Sequence, residues 1–136
     1  MSGVSQEEAV RDVTSAISDA MASLLSRHTG RGATSTWTTL SRDLIVCVMG
    51  DALTKGEKSL VQYGRPEAVL SIRHAYQESM AQEAISLVED LSGRRVAAFM
   101  SNNHIDPDLA VEIFILRPAT EAPGRGESYA DAHDSR

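Results

Sequence analysis

The chain has 136 residues, 42% hydrophobic and 24% charged, with one cysteine and a formal net charge of −6. That length suits one domain with a real core, and the acid excess speaks against the basic stripe of a nucleic-acid surface. No segment approaches the ~20 apolar residues of a membrane span, and Met1 to Glu8 is polar and acidic where a secretory leader would be basic and then apolar.

Cys47 stands alone, so no internal disulfide can form and a reducing cytoplasm is compatible. Aromatic residues are scarce. The core must therefore be built from aliphatic side chains, which suits helices packed on a sheet.

Ser5 and Glu8 have capping-box spacing. Val10, Val13, Ile17, Met21, Leu24 and His28 then recur every three or four residues, which predicts a helix over 6–29 with Gly30 as its left-handed stop. Thr and Trp37 dominate 33–40, a composition that favours a pleated strand. A short polar turn at Ser41, Arg42 and Asp43 leads into the apolar run Leu44 to Met49 and completes a hairpin. That run has no polar side, so both faces of its strand are expected to be covered.

Thr54 and Glu57 again show capping-box spacing and open a short helix that Gly64 ends. Pro66 suits the first turn of a long helix whose stripe is Val69, Ile72, Tyr76, Met80, Ala84, Leu87 and Leu91, closed by Gly93. At 1.5 Å per residue it is about 40 Å long, more than a short strand can cover. Val96–Met100 and Ala110–Leu116 read as a second hairpin. The predicted architecture is α+β in two layers, in the order α-β-β-α-α-β-β. A four-stranded, mainly antiparallel sheet of two hairpins is covered by a long and a shorter amphipathic helix. Residues 1–117 form the domain, and 118–136, rich in Pro, Gly, Ser and acid, a disordered tail.

The most polar stretch, 102–108, joins the strands of the second hairpin, and function tends to sit on loops held by a scaffold. His104, Asp106 and Asp108 alternate, so in an extended segment they share a side. With Asn102 or Glu112 they could be a partial ligand set for a divalent metal, an acid and base pair, or turn chemistry set by Asn, Asp and Pro107. Gly30-Arg31-Gly32 follows a helix C-terminus, the wrong polarity for a phosphate cradle. Arg27, His28 and Arg31 are better read as cations neutralising that end, with Arg31 also a candidate contact residue. Arg65, at the N-terminus of the long helix, is a candidate anion contact that Glu67 in the first turn competes with. Cys47 should be an inert buried thiol, His74 a surface residue, and Glu78, Glu83, Glu89 and Asp90 a solvated helix face. Glu112 interrupts an apolar strand and faces either solvent or the loop.

Gly30-Arg31-Gly32, the stretch from Leu53 through Glu57, Lys58 and Leu60, Gly64-Arg65, Arg73, Met80, Val88-Glu89-Asp90-Leu91 and Gly93 form an ordered pattern. Ser101, His104, Pro107, Asp108, Glu112 and Phe114 complete it. In this order they resemble the bacterial MpsC-like family, named for a sodium-translocating, membrane-potential-generating system. The resemblance spans about residues 7–116. It departs at Ala33, where the family often has Pro, and at Asn102, where it often has Asp. It implies a soluble accessory or regulatory protein acting beside membrane transport, and it carries no catalytic residue across.

The expected function is a non-enzymatic cytoplasmic accessory protein with no cofactor, partnered by a second copy and by a membrane transport protein, without membrane insertion or nucleic acid. The dimer is expected because the helices carry more apolar surface than four short strands can cover. The alternative is a small-ligand or divalent-metal-binding protein, an enzyme among its forms, that uses the 102–108 loop.

Overall fold

A computed structural model describes residues 3–118, so all of the expected tail beyond Pro118 lies outside the described residues. The elements are α1 (Gly3–Thr29), β1 (Ser35–Ser41), β2 (Leu44–Gly50), α2 (Lys55–Gln62), α3 (Pro66–Ser92), β3 (Val96–His104) and β4 (Leu109–Leu116). The α+β class and the element order are those expected from the sequence.

Local chemistry sets the helix ends. Gly30 (φ +83°) and Gly93 (φ +71°) adopt the left-handed conformation that stops α1 and α3. Thr54 caps α2 reciprocally: its hydroxyl accepts from the Glu57 amide at 3.2 Å, and the Glu57 carboxylate accepts from the Thr54 amide at 2.8 Å. The corresponding Ser5–Glu8 pair is not a cap, because α1 is already under way at Gly3.

The sheet order is β1-β2-β4-β3, with every neighbouring pair antiparallel. Helices α2 and α3 carry the chain from β2 past the position of β4 to the far edge. There β3 forms, and β4 turns back between it and β2. Both long helices, each 27 residues, lie on one face of the sheet, α1 over β1 and α3 over β3.

The register gives the covered face its rows. Leu40, Ile45, Phe114 and Phe99 form one, and Thr38, Cys47, Glu112 and Ser101 the next. Against them pack Ile17, Met21 and Leu24 of α1 and Met80, Ala84 and Val88 of α3, all buried. The Phe99 and Phe114 rings sit 5.0 Å apart, centroid to centroid.

The opposite face has no helix over it. Its two middle rows are Trp37, Val48, Val111, Asn102 and Thr39, Val46, Ile113, Met100. Trp37 and Met100 are 48% and 51% exposed and Leu44, one row along, 37%. Within one chain the expectation that both faces of the Leu44–Met49 strand are covered therefore fails, because the helix layer is one-sided.

Two further expectations shift. Strand β3 runs on to His104, so Asn102, Asn103 and His104 are ladder residues and the turn proper is Ile105–Asp108. On α3 the buried stripe is Val69, Arg73, Gln77, Met80, Ala84 and Val88, while Ile72 and Leu91 are exposed. The helix has rotated so that two polar side chains point inward in place of Ile72 and Tyr76.

Phe114→Ala should lower stability by about 3–5 kcal/mol and Thr54→Ala by about 1 kcal/mol. Urea unfolding monitored by circular dichroism reads both, and equal losses would contradict the packing described.

Candidate functional site

Polar side chains converge where β2 ends. After Gly50 the chain bends at Asp51, which takes a left-handed φ of +57°. The bend is then tied from three sides. The Asp51 amide donates to the Asp108 carbonyl at 3.0 Å, and the Leu53 amide to the Asp108 carboxylate at 3.0 Å. From the end of α1, the Arg31 guanidinium donates to the carbonyls of Asp51 and of Leu53 (3.0 Å) and to the Asp51 carboxylate (3.1 Å). Thr34 and Lys58 donate to the same carboxylate at 2.9 and 3.2 Å. The bond from Thr34, then those from Lys58 and Arg31, hold the Asp51 carboxyl below its ordinary range.

Beneath this junction a polar seam enters the core. Arg73 on α3 pairs with Glu57 on α2 at 3.3 Å, both of them buried. One turn along, Gln77 reaches the sheet. Its amide nitrogen lies 3.2 Å from the Glu112 carboxyl, 3.3 Å from the Asn102 carbonyl and 3.3 Å from the Asn103 side-chain oxygen. Asn103 donates back to the Gln77 oxygen at 2.7 Å. Glu112, 1% exposed in the middle of β4, is thus held between Gln77 and Ser101. Burial pushes its carboxyl up to about 8, against the bond from Gln77, the charge of Arg73 and the bond from Ser101. At neutral pH it is mostly the neutral acid. The seam can hold a proton and fix how α3 lies on the sheet.

Residues 10–118 match the family described as "Na+-translocating membrane potential-generating system (MpsC)". The chain belongs to this family. No curated protein and no solved structure matches it.

Of the residues that carry the MpsC likeness, Arg31, Glu57, Lys58, Arg73, Ser101, Asp108 and Glu112 lie in this junction and seam. The candidates named from sequence divide. Asp108 joins the junction, and Glu112 is in the seam. It faces neither solvent nor the turn, because its register on β4 aims it at α3. Asn102 lends only its backbone carbonyl to Gln77, and its own side chain accepts from the Asn103 amide at 2.8 Å. His104 closes the turn, with Nδ1 2.9 Å from the Pro107 carbonyl. Asp106 is exposed at the tip. The structure therefore does not bring His104, Asp106 and Asp108 onto one point, and among the described residues no group of three or more His, Cys, Asp and Glu side chains could hold a metal ion.

Arg31 is a contact residue of this chain's own loop rather than only a counter-charge, and Arg65 donates to Glu67 at 2.6 Å. Arg27 and His28 reach across to Glu83 at 2.8 and 3.6 Å, and Glu89 accepts from the Val96 amide at 2.9 Å. The acidic face expected on α3 is therefore partly bonded. Cys47 is buried and its thiol is pushed up to about 11, chiefly by burial. Asp51, Glu57, Arg73 and Gln77 were not singled out as site residues. Their signal was present: Val69, Arg73, Gln77, Met80, Ala84 and Val88 keep helical spacing once polar side chains are admitted to the stripe.

Two measurements test the seam. The folded state holds the Glu112 proton more tightly than the unfolded chain, so its contribution is full below about pH 4.5, declines as pH rises through about 8, and is then constant. Glu112→Gln cannot titrate, so its urea midpoint between pH 5 and 8 should fall less steeply than that of the wild type; parallel profiles would refute the assignment. Arg73→Met strands the Glu57 carboxylate and should cost about 3–5 kcal/mol. Adding Glu57→Gln should restore much of that.

Proposed function

We propose that this MpsC-family chain is a non-enzymatic accessory protein that self-associates on the cytoplasmic side of a membrane ion-transport system and acts there by contact rather than by chemistry. The observation that carries the reading is the open face of the sheet, which exposes apolar side chains and carries no Asp, Glu, Lys or Arg along its rows. Monomers rarely leave so extended an apolar patch in water. The polar candidates support it too, since Arg31, Asp51, Asp108 and Gln77 spend their bonds on this chain's own backbone and side chains. The family description supports the link to ion transport. Among the described residues no helix is long and apolar enough to cross a membrane, which suits a protein docked beside a transporter.

A divalent-cation site at 102–108 finds less support, since His104 and Asp108 bond in different directions.

Sedimentation velocity at micromolar concentration should give a species of twice the 14.7 kDa chain mass. A single species of one chain mass would refute self-association. Calorimetric titration with Mg²⁺, Mn²⁺ and Zn²⁺ should give no stoichiometric binding. Binding that His104→Ala with Asp108→Ala abolishes would favour the ligand-binding alternative instead.

A further inference from the structure

The helix layer uses only one side of the sheet, and the other side has the anatomy of an interface core with its rim. Along the two central strands every side chain on that side is apolar, from Leu44, Val46 and Val48 on β2 to Val111, Ile113 and Ile115 on β4. The edge strands supply polar positions on either flank, Ser and Thr from β1 and Asn102 and His104 from β3. Trp37 and Met100, the most exposed apolar side chains of the face, stand one on each flank. An apolar centre with a polar border and an aromatic anchor is how specific interfaces are composed.

We propose that this face is where a second copy of the chain packs, sheet against sheet about a twofold axis, with the paired central strands of each copy buried at the middle. The proposal rests on the self-associating reading above and names its surface. Charge favours a second copy over other occupants. The chain carries a net charge of −6, so two copies approach at least cost through a face that has no charge of its own. An anionic lipid surface would be recognised by Lys and Arg, which the face lacks. Size is adequate. Four strands about 4.8 Å apart and seven residues long at about 3.3 Å each outline roughly 450 Å² in plan. Side chains rising from that outline extend its accessible area toward the ~800 Å² per partner of a specific interface. Trp37 alone, half exposed, still shows roughly 100 Å². Facing sheets pack about 10 Å apart with strands nearly aligned, a distance that valine and isoleucine rows fill.

Trp37 is the only tryptophan of the chain, so its fluorescence reports this face directly. In the full-length protein, dilution through the dimer–monomer transition should shift the emission to the red. Trp37 and Met100 are half exposed, so Met100→Lys and Trp37→Lys should fold with wild-type circular dichroism while raising the dimer dissociation constant at least 100-fold in sedimentation velocity. Ile72→Lys, on the outer surface of α3, should leave it within threefold. A wild-type dimer that survives both sheet-face substitutions, or whose tryptophan emission is unchanged on dissociation, would overturn the proposed surface while self-association stood. A wild type that is monomeric throughout the micromolar range would overturn both.

Discussion

One sheet with two apolar faces and helices on only one of them is the constraint from which the rest of this structure follows. In an antiparallel sheet with one wet side, residues usually alternate between apolar and polar. Strands β2 and β4 do not alternate. Ile45, Cys47 and Met49 go under the helices, and Leu44, Val46 and Val48 go to the other side with no loss of apolar character. The topology cannot supply a second layer from the described residues, since α1 and α3 lie side by side on the same face, cross-linked through Glu83 to Arg27 and His28. The exposed apolar side chains are shared between the layers, Val10, Leu70, Ile72 and Leu91 on the helices and Trp37, Leu44 and Met100 on the sheet, where they form one continuous face with the valine and isoleucine rows. The first turns of α1, which overhang the sheet, are largely polar and need no cover.

The covered side carries its own constraint, because it encloses a carboxyl. An acid buried in the middle of β4 is costly unless it is bonded and neutral. Both conditions are met here by Gln77 and Ser101 and by the upward displacement of its titration. Replacing such groups by hydrocarbon is often neutral or stabilising, so stability alone does not explain the seam. Its physical consequence is registry. If α3 slid by one turn, Glu112 and Asn103 would lose their bonds to Gln77, and Glu57 its pairing with Arg73. Hydrocarbon rows impose no comparable penalty. The junction above does the same for the β2–α2 connection, where Arg31 and Asp108 hold the loop by its backbone rather than by side-chain packing.

Much of the fold was legible in the sequence for simple reasons. Gly30, Gly64 and Gly93 mark helix ends because a left-handed residue is needed there, and Thr54 with Glu57 marks a start because the two bonds are local. Element order followed from the change of period between helix and strand. Strand order did not, since nothing local says that β4 inserts between β2 and β3. The second hairpin is longer than its composition suggests, since Asn102, Asn103 and His104 are common in turns, yet here the ladder to β4 outweighs that preference. The site was legible in part. Asp108 and Glu112 stand out as polar residues in or beside apolar runs. Arg73 and Gln77 are not legible as inward-facing, because the apolar stripe through Ile72 and Tyr76 is complete without them, and only the carboxyls of Glu57 and Glu112, distant in sequence, make the neighbouring stripe the better one.

Strand parity joins the two halves of this picture. On β3, Ser101 and Asn103 turn inward to the seam while Met100, Asn102 and His104 turn outward. On β4, Glu112 turns inward between Val111 and Ile113, which turn outward. Alternate residues of the same two strands therefore form the polar lining of one side and the outer surface of the other, separated by only the thickness of a strand. Bonds from Gln77 to both Glu112 and the Asn102 carbonyl hold these two strands against α3, and an outer surface can be flat and repeatable only if the strands beneath it are held. On this argument the buried acid has a structural consequence beyond its own strand. It is part of the inner support that lets the outer face of the sheet keep one shape.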